Sequence, residues 1–169
     1  MKWFPVLILA AAVLSFTACS DDDDDPVDPG IQEFIAADAD FANYQNWTQT
    51  LEPQKGPDPA GIIGGAHAAN DSNVTRYMWI QDGSASRDAS GNFPIGTRLV
   101  KEMRLGDGTV AAVTAMVKRG GSFNASHRNW EWFLLDETGA IQQRGGDLLN
   151  NMCNSCHVAA AATDYVFTK

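Results

Sequence analysis

The chain has 169 residues, of which 44% are hydrophobic and 20% are charged, as expected for one globular domain with a short tail. This composition excludes a collagen-like chain, a fully disordered chain and a polytopic membrane protein. The formal net charge is −9, but from residue 31 onward only 15 acidic residues stand against 11 basic ones, and such a mildly acidic body predicts no nucleic-acid binding.

The N-terminus is predicted to be an export signal. Lys2 precedes an apolar run over residues 6–16, which is too short to cross a hydrocarbon core of about 30 Å as a helix. The run ends in Phe16-Thr17-Ala18-Cys19, which resembles the lipobox of bacterial lipoproteins. We therefore expect residues 1–18 to be a lipoprotein signal peptide and Cys19 to carry the lipid anchor. The alternative is a plain signal peptide that is cleaved near Ala18.

Residues 19–30 are predicted to be a solvated acidic linker. Five consecutive aspartates follow Ser20, and two prolines and a glycine follow the aspartates, so the segment repels itself and offers little to pack. A domain over residues 31–169 would then be exported and lipid-anchored in the bacterial envelope, on the periplasmic or cell-surface side of the outer membrane.

The first half of this domain has one predicted helix, one loop and one strand. Residues 31–44 carry apolar side chains at helical spacing without Gly or Pro, which predicts an amphipathic helix. Residues 46–65 contain three prolines and several glycines and are predicted to be mostly loop. Residues 74–80 are β-branched and aromatic, which is typical of a strand.

A strand over residues 97–104 is the most informative element. Alternation places Arg98, Val100, Glu102 and Arg104 on one face, and Thr97, Leu99, Lys101 and Met103 on the other. Lys101 therefore lies among apolar side chains. An ammonium in such a place must be neutralised, paired or bonded, because burying an isolated charge is costly.

The second half is predicted to continue as antiparallel strands and to end in short helices. A hairpin turn at residues 105–108 leads to a strand over residues 110–118, with Ala111, Val113, Ala115 and Val117 on one face and Met116 and Lys118 on the other. Further strands are predicted at residues 130–135 and 141–143, separated by a turn at 136–139. A short helix begins at residues 147–150, and another helical turn follows at 159–162. The predicted fold class is α+β, an antiparallel β-sheet with few short helices.

The last two cysteines form a C-x-x-C-H motif with His157. At this spacing, the thiols of Cys153 and Cys156 can reach the two vinyl groups of a haem while the imidazole of His157 ligates the iron. The motif predicts covalently attached haem c near the C-terminus. One alternative is a thioredoxin-like redox pair, which would open a helix in a βαβ unit. Another is a zinc site, completed by His67, His127 or carboxylates.

A sheet-rich domain with this C-terminal motif resembles the cytochrome P460 family and the related β-type cytochromes c-prime. The matching segments extend from about residue 62 to the C-terminus and are Gly65-Ala66-His67, Phe93-Pro94-Ile95-Gly96-Thr97, Val100-Lys101-Glu102, Met116-Val117-Lys118, Asn129-Trp130-Glu131-Trp132, Cys153-Asn154-Ser155-Cys156-His157 and Asp164-Tyr165-Val166-Phe167.

The resemblance implies a proximal histidine, an open distal side for a small ligand and, in enzymatic members, a lysine bonded to the porphyrin edge. His157 matches the histidine, and Lys101 best matches the lysine, since it follows a G-T-x-x-x-K pattern. Alternatively, Lys101 reaches the sheet edge or pairs with a haem propionate. Lys118 is the second candidate for the bond.

Other side chains could take part in the site. Glu102 and Glu131 are conceivable proton acceptors, but alternation turns them away from Lys101 and Trp132, and we expect both to be solvated. A sixth iron ligand could come from a methionine, although methionines on strands usually belong to the core: Met78, Met103, Met116 and Met152. His67 and His127 lie in loops and are predicted to be exposed. The tryptophans are expected to pack around the macrocycle and the sheet: Trp47, Trp79, Trp130 and Trp132.

Three functions fit these expectations. The first is a monohaem protein whose open iron site binds or oxidises small nitrogen species such as hydroxylamine or nitric oxide. The second is a six-coordinate electron-transfer cytochrome. The third is a gas-binding or gas-sensing lipoprotein without turnover. Expected partners are a small-molecule ligand or substrate, an unidentified electron-transfer partner, the membrane through the lipid anchor and a second copy of the chain in a homodimer.

Overall fold

The computed structural model describes residues 32–56, 72–83 and 85–167. Within these residues, seven strands form one antiparallel sheet in the order β1-β3-β4-β5-β6-β7, with β2 pairing beside β1 on β3. The strands are β1 (Thr48–Gln49), β2 (Gln54–Lys55), β3 (Thr75–Ile80), β4 (Arg98–Arg104), β5 (Val110–Lys118), β6 (Trp130–Leu135) and β7 (Ile141–Gly145), followed by the helix α1 (Leu148–His157). Single-turn or short 3-10 helices lie at Asp38–Asp40, Tyr44–Asn46, Ala125–His127 and Val158–Thr163. The predicted α+β class is confirmed.

Each face of the sheet packs against a different end of the chain. On the first face, which we call the N-segment face, Val100, Val117 and Phe133 form one core with Phe41 and Tyr44 of the N-terminal segment. Phe41 and Phe133 are in direct ring contact, with centroids 5.1 Å apart. The N-terminal segment therefore closes the sheet on the side away from α1.

The opposite face, which we call the C-segment face, carries the second core. Here Leu99, Met116 and Trp132 pack with Leu148 of α1 and with Val166 near the C-terminus. These side chains alternate along their strands with those of the N-segment face, as the period of two in a β-strand requires. The alternation predicted for β4 is confirmed, and so is that of β5 from Val113 onward; Ala111 lies at a register shift opposite Met103 and Arg104.

Glycine is required at the turn between β6 and β7. Gly139 has φ +93°, and a Cβ atom on it would lie 2.6 Å from the carbonyl oxygen of Phe41. The Asp136 carboxylate accepts hydrogen bonds from the backbone and hydroxyl groups of Thr138 and from the backbone N–H of Ala140. The turn thus fixes the register of two strands and also contacts the N-terminal segment.

The prediction of an amphipathic helix over residues 31–44 is wrong. The described part of this segment contains an isolated β-bridge from Glu33 to Gly120 and two single 3-10 turns, joined by irregular backbone. Two features interrupt the helical pattern: the Asp40 carboxylate accepts a hydrogen bond from the backbone N–H of Ala37, which caps the start of the turn Asp38–Asp40, and Asn43 adopts a left-handed conformation with φ 56°. Local side-chain bonds of this kind compete with helical hydrogen bonds.

The loop predicted over residues 46–65 is only partly correct. Within its described portion, β1 and β2 each pair two residues with β3 and thereby protect that strand's edge. Residues 57–65 lie outside the described residues, as do the predicted signal peptide and acidic linker.

The helix α1 is regular only in its C-terminal part. Leu149, Asn150 and Asn151 have positive φ values of 56°, 54° and 66°, so the chain makes a left-handed turn before the right-handed helix begins. Asparagine tolerates this conformation better than most residues, whereas leucine does not. The predicted short helix at this position and the helical turn after it are both present.

Candidate functional site

The C-x-x-C-H motif lies on α1, against the C-segment face of the sheet. Cys153 and Cys156 are half-buried, free thiols with two residues between them, an i, i+3 spacing that places both on the same side of a helix. Burial, together with the nearby Cys156, raises the pKa of Cys153 to about 11, and burial also raises the pKa of Cys156. Both thiols are therefore protonated at neutral pH, unlike the thiolate of a thioredoxin-like redox pair.

His157 is held by the backbone at one ring nitrogen. Its Nδ1 lies 2.6 Å from the carbonyl oxygen of Tyr165, and since a carbonyl only accepts, Nδ1 carries the proton and donates it. Burial lowers the pKa of His157 to about 4, while the hydrogen bond to Tyr165 opposes this effect and the nearby charge of Lys101 adds to it. The imidazole is therefore neutral, and its Nε2 lone pair is available to a metal.

Aromatic rings lie on both sides of this histidine. The centroid of the Trp132 ring lies 4.6 Å from that of the His157 ring, and the centroid of Phe167 lies 5.2 Å from it. These contacts confine the plane of the imidazole from the sheet side and from the C-terminal segment. Of the tryptophans, Trp130 and Trp132 belong to the C-segment core, whereas Trp79 packs in the N-segment core.

No sequence pattern indicates the role of Asn154, the first residue between the two cysteines. Its side chain is buried and makes four hydrogen bonds, which satisfy the amide completely. Its Oδ1 accepts from Trp132 Nε1 at 2.7 Å and from Asn124 Nδ2 at 3.1 Å, and its Nδ2 donates to the carbonyl of Gly146 and to Asn151 Oδ1, both at 2.6 Å. Asn154 therefore connects the motif by hydrogen bonds to β6, to the end of β7 and to the loop before β6.

Lys101 lies on the C-segment face, as its alternation predicts. In the antiparallel register, its Cα pairs with those of Met78 on β3 and Thr114 on β5. The side chain is half-buried, and its charge contributes to lowering the pKa of His157. The sheet therefore brings Lys101 and the C-terminal motif to one side of the molecule.

Lys118 is buried and already has an anionic partner. Its Nζ lies 2.8 Å from both carboxylate oxygens of Asp164, and it sits 5.0 Å from the centroid of the Trp130 ring. Burial lowers the pKa of Lys118, an effect that Asp164 opposes. The second candidate for a bond to a porphyrin is thus engaged in an ion pair.

The expectation that Glu102 and Glu131 are solvated is wrong, because both are fully buried on the N-segment face. Glu102 accepts a 2.5 Å hydrogen bond from the Tyr44 hydroxyl and pairs with Arg104. Glu131 pairs with Arg144 at 2.7 Å and, more loosely, with an arginine of the β5–β6 connection. Their distance from the motif follows from the alternation, but their burial depends on partners that sequence spacing does not reveal.

The other possible iron ligands are dispersed. Met103 and Met116 are buried, Met152 is exposed, and Met78 is half-buried opposite Lys101. His127 is half-buried rather than exposed, and its Nδ1 lies 3.0 Å from Ser126 Oγ and 3.2 Å from Asn124 Oδ1. His67 and Cys19 lie outside the described residues. Across the described ranges, no three His, Cys, Asp or Glu side chains cluster in a way that could hold a metal ion.

These residues fit a haem. Two unpaired thiols lie on one side of a helix, and the neighbouring neutral imidazole has one nitrogen fixed by a carbonyl and the other available to iron. Apolar and aromatic side chains of the C-segment face adjoin them. In the part of the chain that the structure describes, no helix is long and apolar enough to span a bilayer.

Comparison with known proteins agrees with this reading of the site. The model of the cytochrome P460 family matches residues 41–168, most of the chain and a longer stretch than the motifs from residue 62 onward. No curated protein matches the chain. The chain belongs to the cytochrome P460 family and is a haem protein.

Proposed function

We propose that this protein is a monohaem c-type cytochrome in which Cys153, Cys156 and His157 hold the cofactor. Each thiol would add across one vinyl double bond, its S–H hydrogen passing to the second vinyl carbon, so no oxidant is needed. His157 would bind iron through Nε2. The observation that carries the proposal is the 2.6 Å hydrogen bond from His157 Nδ1 to Tyr165, which sets the tautomer that an iron ligand requires.

Covalent attachment is tested by extraction. Haem bound through thioethers should stay with the polypeptide in acidified organic solvent, and Cys153→Ala together with Cys156→Ala should release it. Ser155→Ala is the matched control, because Ser155 lies between the two cysteines and is exposed. Complete extraction of haem from the unsubstituted protein would show that attachment is not covalent.

We further propose that the site binds or oxidises small nitrogen species such as hydroxylamine or nitric oxide. When bound, the haem iron supplies an open coordination position and a one-electron redox couple. Lys101 supplies a cationic side chain on the same side of the sheet as His157, and its charge contributes to lowering the pKa of that imidazole. The neutral, carbonyl-bound imidazole of His157 supplies the proximal ligand.

Lys101 is also our candidate for a bond to the porphyrin edge. Such a bond replaces one N–H and one C–H bond and releases two protons and two electrons, so it needs a two-electron oxidant, for which a peroxide is the class we name. Lys101→Met should then change the absorption spectrum and abolish hydroxylamine oxidation with an acceptor dye. Lys55→Met, at an exposed lysine on β2, is the control. An unchanged spectrum in Lys101→Met refutes the bond.

The first measurement is the absorption spectrum of the ferrous full chain with and without carbon monoxide. A five-coordinate spectrum that responds to carbon monoxide is expected for an open site, and a broad, red-shifted band is expected if Lys101 is bonded. Sharp six-coordinate bands that ignore carbon monoxide would contradict the proposal. Tight nitric oxide binding without consumption of hydroxylamine would identify a gas-binding protein.

One observation favours the alternative of an electron-transfer cytochrome. Met78 is half-buried on the C-segment face, directly opposite Lys101 in the register, where a thioether could complete the iron coordination. Met78→Leu should then convert a six-coordinate spectrum into one that responds to carbon monoxide. No change in a six-coordinate spectrum would exclude Met78 as the ligand.

We also propose that the protein is exported and anchored through a lipid on Cys19. The support is the lipobox-like sequence before Cys19 and the aspartate run after it. Cys19→Ser should move the protein from the membrane fraction to the soluble fraction of cells that process lipoproteins. Retention of Cys19→Ser in the membrane fraction would refute the anchor.

A further inference from the structure

The C-terminal turn after α1 has an unusual backbone. Asp164 and Tyr165 are consecutive non-glycine residues with positive φ values of 56° and 63°. Left-handed residues of this kind persist where surrounding contacts over-determine them, and they concentrate at functional sites. The contacts of Asp164 and Tyr165 therefore show what holds this backbone in place.

Asp164 is completely buried and joins three parts of the fold. Its carboxylate pairs with Lys118 Nζ at 2.8 Å, and Oδ2 also accepts the backbone N–H of Phe93 at 2.7 Å. Its carbonyl oxygen accepts from Trp130 Nε1 at 2.7 Å. Asp164 is thus fixed from β5, from β6 and from the segment before β4.

Tyr165 follows Asp164 directly and links it to His157. Its carbonyl oxygen is the acceptor of the His157 Nδ1–H bond, and its hydroxyl donates to the carbonyl of Ser126 at 3.0 Å. Its own backbone N–H donates to the carbonyl of Ala160 at 2.8 Å. The peptide carbonyl that faces His157 is therefore only one residue away from a buried ion pair.

We propose that Lys118 and Asp164 are positioning residues for His157. Their ion pair holds the left-handed turn in the one orientation that aims the Tyr165 carbonyl at His157 Nδ1. This inference rests on the proposed role of His157 as the iron ligand. Lys118 lies on the same sheet face as Lys101 and was the second candidate for a bond to the porphyrin edge. In this proposal, Lys118 instead positions the turn that holds His157.

The ion pair should affect the iron through the histidine. A ligating imidazole that donates its second N–H to a well-placed acceptor is more basic at the ligating nitrogen and better oriented. Weakening that hydrogen bond should weaken the iron–histidine bond and favour the ferrous state. The expected signature is a lower iron–histidine stretching frequency and a higher midpoint potential.

The test compares Asp164→Asn with Glu131→Gln in the haem-loaded full chain. Both substitutions neutralise a fully buried, ion-paired carboxylate, but Glu131 lies on the N-segment face, away from His157. We expect resonance Raman spectra of the ferrous protein to show the lowered stretch in Asp164→Asn only. The midpoint potential should rise in the same variant. A folded Asp164→Asn variant with an unchanged stretch and potential overturns the proposal.

Two further variants keep the test decisive. Lys118→Met leaves the carboxylate and its bond from Phe93 in place and should shift both signals in the same direction by a smaller amount, so it decides the matter if Asp164→Asn does not fold. Lys118→Arg keeps the charge and should restore much of the signal. His157→Ala separates the two claims: if the iron–histidine band survives in that variant, another histidine binds the iron and the proposed function fails by itself.

Discussion

Asn154 should be the most sensitive residue of the C-x-x-C-H segment that does not touch the cofactor. Replacing it with Ala removes four hydrogen bonds and leaves the buried Trp132 Nε1 and the half-buried Gly146 carbonyl without this amide. A net loss of about 1 kcal/mol per bond, and more where a buried group stays unsatisfied, gives an expected destabilisation of about 4 kcal/mol.

Urea unfolding of the full chain measures this effect, and Ser155→Ala is the matched control. The Ser155 hydroxyl is exposed and makes one hydrogen bond, to the carbonyl of Asn151 at 2.9 Å, so we expect its removal to cost at most about 0.5 kcal/mol. At roughly 2–4 °C per kcal/mol in a domain of this size, Asn154→Ala should also lower Tm by about 10 °C. If the two variants unfold within about 1 kcal/mol of each other, the anchoring role of Asn154 is refuted, since the hydrogen-bond arithmetic predicts a larger gap.

Two further predictions concern the β6–β7 turn. Gly139→Ala should destabilise the fold by about 2–3 kcal/mol in thermal unfolding, because the new Cβ meets the Phe41 carbonyl. Gly108→Ala is the control, since Gly108 has a similar φ but open space around it, and it should cost only about 1 kcal/mol. Equal losses in the two variants would contradict the steric argument. The pKa of Asp136 lies below its usual 3.8 because of hydrogen bonds from Thr138 and neighbouring backbone N–H groups. Its contribution to stability is therefore present above that value and lost as the pH falls through the lowered pKa, so the stability difference between the protein and Asp136→Asn should shrink in acid; a constant difference in urea unfolding across the pH range would show that the charge is irrelevant.

The sheet could be predicted from the sequence because its signals are local. Alternation over β4 and β5 assigned Lys101 and Val100 to opposite faces, and both faces were found as expected. The C-x-x-C-H motif could likewise be identified because its two cysteines and its histidine lie within five consecutive residues. Family membership then followed from segments whose order, rather than any single one, is specific.

The unpredicted features depend on partners that are distant in the chain. Glu102 is buried because Tyr44, 58 residues earlier, donates to it, and Asp164 is buried because Lys118, 46 residues earlier, pairs with it. The helix predicted for the N-terminal segment is absent because apolar residues at helical spacing can also fill a core from irregular backbone. Their contacts with the sheet, which are distant in the chain, determine the conformation. The role of Asn154 could not be predicted because the four hydrogen-bond partners of its amide lie in other parts of the chain or outside any recognisable motif.

The neighbouring positions of Lys101 and Glu102 make β4 intolerant of insertions. The two residues face opposite sides of the sheet, the lysine toward the C-terminal motif and the glutamate into a closed core with Tyr44. One added residue would exchange these positions, since a slip of one residue in a strand reverses every side chain. The Glu102 carboxylate would then face His157. The Lys101 ammonium would enter the core in which the Tyr44 hydroxyl and the Arg104 guanidinium now bind a carboxylate. Length variation in this part of the chain should therefore be confined to the hairpin loop at residues 105–108, where the backbone faces solvent and the identity of each sheet face is preserved.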